Sequence, residues 1–203
     1  MTVLIDPEPT EKETWLFNRI YESATQILAK AGNLEPVAFF RTGEHPQLAG
    51  MPTGMMVPVQ MDMPGSDAGK DALAHVLRDL VKKTDADLVL MVLESWMVKP
   101  SEQEAQYFKQ EGCFKVTPSK HPNRMEIVLF SLSKSNGDSW SAWVQIQRDS
   151  HNQPSIPLQP PKLEYLKSGG RFGNLFEPDA DADEVAVKIV GGGAHGPASA
   201  SQN

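Results

Sequence analysis

The stretch from Met125 to Arg148, "MEIVLFSLSKSNGDSWSAWVQIQR", constrains this chain more than any other. Two runs rich in β-branched and aromatic residues flank Asn136-Gly137, a pair favoured in two-residue hairpin loops because both central residues must take positive φ. Part of the fold is therefore expected to be an antiparallel sheet. With Asn136 and Gly137 as the whole loop, Ser135 faces Asp138, Leu129 faces Val144 and Ile127 faces Ile146, giving a core face. The opposite face then pairs Phe130 with Trp143, Val128 with Gln145 and Glu126 with Gln147, aromatic near the turn and polar beyond it. Side chains alternate along a strand, so a slip of one residue would exchange the two faces.

The remaining elements follow from periodicity. Phe17, Ile20, Ala24, Ile27, Leu28 and Ala31 recur at helical spacing ahead of Gly32-Asn33, a natural stop, so a helix is expected over 14–31. Pro36 to Phe40 and Gly54 to Met61 read as strands, and Pro58, which has no N–H to donate, puts the second at an edge or a bulge. A second helix is expected over 67–83, with Ala72, Leu73, Val76, Leu77, Leu80 and Val81 as its stripe and Ser66 or Asp67 as its cap. "LVLMVLESWMVK", Leu88 to Lys99, reads as a buried strand, and a helical turn fits "PSEQEAQYFKQEG" after it. The order α-β-β-α-β-β-β predicts an α+β domain over 14–149, with two helices on one face of a mostly antiparallel sheet of about five strands. Residues 1–13 are an N-terminal extension and 150–203 a Pro/Gly-rich tail, expected to be partly disordered, whose Tyr165, Phe172, Leu175 and Phe176 are apolar enough to lie along the domain or a partner.

At 203 residues the chain can bury one substantial core, and hydrophobic residues at 40% suit a globular protein. A formal net charge of −7 argues against nucleic acid and anionic lipid as partners; Lys115, Lys120 and Arg124 offer only a small local basic patch. Cys113 is the single cysteine, so neither an intramolecular disulfide nor a Cys-based zinc site can form. The N-terminal thirteen residues turn acidic after three apolar ones, unlike a signal peptide, and no run approaches a membrane span. These features predict a cytoplasmic location.

Familiar chemical motifs are approached but not met. "PGSDAGKDAL" sits where a P-loop would, yet three residues rather than four separate Gly65 from Gly69-Lys70, and Asp71 replaces the magnesium-holding hydroxyl. Asp179, Asp181 and Asp183 alternate as at the start of a calcium loop, but Glu184 and Val190 occupy the positions that need glycine and a bidentate glutamate. The acidic stretch instead reads as a solvated linker ahead of a strand over Val185 to Val190. No nucleophile elbow is present, and Cys113 lacks a local catalytic signature.

One constellation remains. Glu94 and Trp96 share a strand face, as do Arg124 and Glu126, just after His121-Pro122. If the two strands are neighbours these groups converge, with His45 as a possible third element. A metal-dependent hydrolase would use His121, Glu94 and Glu126 as acid/base groups or ligands, with His45, His121 and Glu94 the metal candidates. The bland alternative is a cross-strand ion pair of Glu94 with Arg124, or a glutamate at the polar end of the outer face.

"ADLVLMVLESWMVK" followed by "PSKHPNRMEIVLFS" and a hairpin ending "IQRD" resembles a set of small uncharacterised bacterial and phage α+β proteins. The likeness spans about residues 14–149 and is sharpest at Glu94, Trp96, His121, Pro122, Arg124 and Glu126. Those proteins share a strand with Glu, a small residue and Trp-Met, then a Ser-x-His-Pro-x-Arg-x-Glu segment; Ser95 stands here where alanine is expected. The resemblance implies a fold and a bacterial or phage origin, with no activity attached. The functional expectation is a non-enzymatic protein-binding or regulatory accessory module, with Trp96, Arg124, Phe130 and Trp143 as binding residues, no cofactor, an unknown protein partner and possible self-association. The metal-dependent hydrolase is the alternative.

Overall fold

The computed structural model describes residues 6–48, 50–111, 116, 118–166, 172 and 175–176. Cys113, Lys115, the Asp179–Asp183 acidic stretch, the expected strand at 185–190 and the end of the tail lie outside them. In chain order the elements are α1 (Glu11–Ala31), β1 (Val37–Arg41), β2 (Met56–Gln60), α2 (Asp67–Thr84), β3 (Leu88–Val98), α3 (Glu102–Glu111), a 3₁₀ turn (Pro118–Lys120), β4 (Arg124–Lys134), β5 (Ser139–Gln145), β6 (Gln147–Arg148), β7 (Pro154–Ser155) and β8 (Glu164–Tyr165). Among the described residues no helix is long and apolar enough to cross a membrane.

The α+β class holds, with a sheet of six strands in the order β2-β1-β3-β4-β5-β8, every pairing antiparallel. β6 and β7 form a separate two-stranded ribbon. Helix α1 starts earlier than its apolar spacing suggests because Thr10 and Glu13 form a reciprocal capping box at Glu11. It ends at Gly32, whose left-handed φ of 84° lets its N–H reach the Leu28 carbonyl. Helix α2 is capped by Ser66, as its sequence predicts.

The two long helices do not share a face. Phe17, Ile20, Tyr21, Ala24 and Leu28 of α1 pack on Leu88, Leu90 and Val92, whereas Leu77, Leu80 and Val81 of α2 pack on Val89, Met91 and Leu93. Six consecutive residues of β3, Leu88 to Leu93, are buried. A strand without alternation is covered on both sides, and that run was the sign that the helices lie on opposite faces. They are also staggered, α1 lying over β3, β4 and β5 and α2 over β1 and β3.

The hairpin register differs from expectation by one residue. Lys134, not Ser135, bonds to Asp138, and the loop has three residues, closing with Gly137 at φ 90°. A three-residue loop ending in a left-handed glycine is the next commonest hairpin, and Asn-Gly serves both. Phe130 therefore faces Ala142, Leu132 faces Trp140 and Val128 faces Val144, all buried under α1. Leu129 faces Trp143 and Ile127 faces Gln145 on the other side.

Pro58 marks an edge as expected, since β2 ends the sheet. The Met61 N–H reaches the Pro36 carbonyl and the Thr42 N–H the Met55 carbonyl, so odd residues of β2 face β1 and Pro58 faces outward. The missing donor thus weakens the free edge rather than the ladder. Residues 150–166 join the domain: Ile156 and Leu163 are buried in the core under α1, and Tyr165 extends the sheet beside Trp140. Leu175 enters the core under α2, with Phe172 and Phe176 against it.

Candidate functional site

Strands β3 and β4 are direct neighbours, so Glu94, Trp96, Arg124 and Glu126 do share one face, the face that α1 covers further along. Trp96 lies opposite Glu126 and Glu94 opposite Val128. The pairings are not the expected ones. Glu94 Oε1 accepts the Leu34 N–H at 2.6 Å, holding the chain where it leaves α1 and turns into β1. Arg124 lays its guanidinium over the Trp96 ring, 4.9 Å from the centroid, a cation–π contact on an exposed surface. Glu126 pairs with Arg148 at 2.8 Å. The outer strand end is thus a patch of mutually satisfied groups beyond the end of α1.

His121 sits in the connection leading into β4, only 3% exposed. Its Nδ1 accepts the Asn123 N–H at 3.1 Å, which places the ring proton on Nε2, 2.8 Å from Glu104 Oε1. Glu104 also accepts the Ser101 N–H and hydroxyl. Those two bonds first, and His121 after them, draw its carboxyl down to about 2. None of the α3 residues is buried, Ser101 caps the helix, and the Glu104 carboxylate ties its first turn to His121.

His45 lies at the other end of the sheet, where its N–H reaches Asp85 Oδ2 at 2.9 Å just ahead of β3. An eleven-residue strand spans about 33 Å, so His45 does not join Glu94 and His121. Among the described residues no three His, Cys, Asp or Glu side chains gather as a metal site would need. At that same end Arg41 makes a two-pronged pair with Asp87, both contacts 2.7 Å, and this pairing raises the guanidinium above its ordinary pKa. Glu13 is buried against Lys134 at 2.9 Å. Burial pushes the Glu13 carboxyl upward, but Lys134 and the Thr10 N–H and hydroxyl outweigh it and hold the carboxyl below its usual range.

The binding candidates separate. Phe130 is fully buried, stacked edge-on with Phe17 at 5.4 Å, and is not at the surface. Trp143 is 46% exposed on the face away from α1. With the register shifted, its cross-strand partner is Leu129, half-buried, flanked by Ser131 opposite Ser141. This side of β4 and β5 lies beyond the reach of α2, which packs over β1 and β3. Leu129 was missed because the hairpin was closed one residue too tightly. Trp15 and Ile27, 64% and 51% exposed, were also missed as surface groups. Ile27 fits the helical stripe but lies beside the row Phe17, Ile20, Ala24, Leu28 that meets the sheet. Comparisons with protein-family models, curated proteins and solved structures find no match for this chain.

Proposed function

We propose that the chain is a non-enzymatic protein-binding accessory module that engages its partner with the patch of Trp143, Leu129, Ser131 and Ser141 on the face of β4 and β5 away from α1. The observation that carries this reading is Trp143, a large apolar side chain 46% exposed in the middle of a sheet face, with Leu129 across the strand. Sheet faces are normally covered or polar, and tryptophan is the residue most enriched among those that dominate binding energy. Ser131 and Ser141 around it offer hydroxyls for a partner's polar rim. The acid/base groups point the same way, because Glu94, Glu126 and His121 each already have a structural partner.

The test is site-specific photocrosslinking in producing cells, with the photoreactive amino acid at position 141 on this face or at position 18 on the exposed side of α1. The proposal expects a discrete crosslinked partner from position 141 and none from position 18. No crosslink at 141, or the same products from both positions, overturns it.

A further inference from the structure

Because α1 packs mainly over β3, β4 and β5 and leaves Val37 and Phe39 of β1 only partly covered, a groove stays open between the helix and β1. Ile20, Ala24 and Ile27 form one wall of a groove of about 590 Å³, and Val37, Phe39 and Val92 line it from the sheet side. That volume is in the range of ordinary ligand sites. Its lining is largely apolar, and Glu35 stands among the few polar groups there. On the other flank of α1, the Tyr21 hydroxyl donates to the Pro157 carbonyl at 2.6 Å. Ile156 and Leu163, each 5% exposed, pin the two ends of a proline-rich bend. Between these anchors Leu158 is 89% exposed, and Lys162 follows on the same segment. Lys162 meets Glu8 at 3.0 Å with both side chains about three-quarters in solvent, 77% and 74%, a pair that water screens strongly.

We propose that Leu158 of one copy seats in the α1–β1 groove of a second copy. The two surfaces match in chemistry: an apolar knob with a lysine beside it meets an apolar groove that includes a glutamate. Sheet order sets β1 and β2 on one side of the molecule and β5 on the other, so one copy cannot fill its own groove with its own bend. The contact is therefore head-to-tail, joining unlike surfaces, and it leaves the next groove and the next bend free. It is a weak contact, since one leucine and its flanking prolines bury little. It leaves Trp143 untouched, so self-association and partner binding fail or succeed separately.

Sedimentation equilibrium on the full chain over a wide concentration range reads this directly. Wild type should rise above the 22.3 kDa monomer as concentration increases. Leu158→Ser, which removes the knob, and Ile27→Glu, which charges the groove wall at a half-exposed position, should each weaken association roughly thirty-fold, the factor that about 2 kcal/mol of lost leucine burial sets. Mixing the two variants should restore a dimer that grows no further, because one retains a groove and the other a knob. A wild type that stays monomeric overturns the proposal. So does a mixture that remains monomeric, or association that survives both substitutions. Circular dichroism matching wild type shows that each variant is folded.

Discussion

Replacing Glu94 with alanine removes the acceptor that holds the Leu34 N–H at 2.6 Å. Leu34 is 6% exposed and packs in the core under α1, so its amide would be left facing little water and no partner. An orphaned buried donor costs about 1–3 kcal/mol, and the lost bond is charge-assisted, which favours the upper half of that span. Glu94→Gln keeps an oxygen on the same stem and should cost only about 0.5–1.5 kcal/mol. Urea unfolding at neutral pH measures both, provided the slope with denaturant is unchanged. Hydrogen exchange should show the Leu34 amide losing protection in Glu94→Ala. The outcome is diagnostic because groups kept for activity often cost stability, and removing one tends to leave the fold unharmed or firmer. A Glu94→Ala protein within about 0.5 kcal/mol of wild type, with Leu34 exchange unaltered, would refute the structural role assigned to this carboxylate.

Three further outcomes follow from other positions. Phe130→Ala should cost about 3–5 kcal/mol and Trp143→Ala less than about 1 kcal/mol, and equal costs in chemical denaturation would contradict the hairpin register. Gly43→Ala should destabilise by about 1–3 kcal/mol in thermal melts, because a Cβ there would collide with the Asp85 carbonyl oxygen; a neutral result would mean that the 43–45 loop is not held against Asp85. The Glu13 carboxyl titrates lower in the folded chain than its ordinary 4.5, so its stabilisation is present above that value and drains away as pH falls through the folded one. Urea midpoints should therefore fall more between pH 6 and pH 3 in wild type than in Glu13→Gln, and parallel curves would contradict the Lys134 pairing.

Much of the architecture was legible because it is local. Helical spacing from Phe17 to Leu28, the Ser66 cap and the outward Pro58 each carry their meaning within a few residues. What failed was set by small differences or distant partners. Asn136-Gly137 suits both a two-residue and a three-residue loop, and that single residue decides whether Phe130 or Leu129 lies beside Trp143. The placement of α2 opposite α1 was written in the unbroken run Leu88 to Leu93, but such a run also fits an edge of a thicker core. Glu94 was read against its strand neighbours, whereas its partner is an amide sixty residues earlier that no spacing rule connects to it. His121 and Glu104 are joined across the α3 connection for the same reason.

The patch around Trp143 is the centre of this account, and affinity purification from producing cells addresses it most directly. Tagged wild type, Trp143→Ser and Trp15→Ser would be compared by quantitative mass spectrometry, the last because Trp15 is the more exposed tryptophan, at 64%, on another surface. The account predicts a partner recovered at near-stoichiometric yield with wild type and Trp15→Ser and lost with Trp143→Ser. Equal recovery with all three proteins, or recovery of no partner at all, would contradict it.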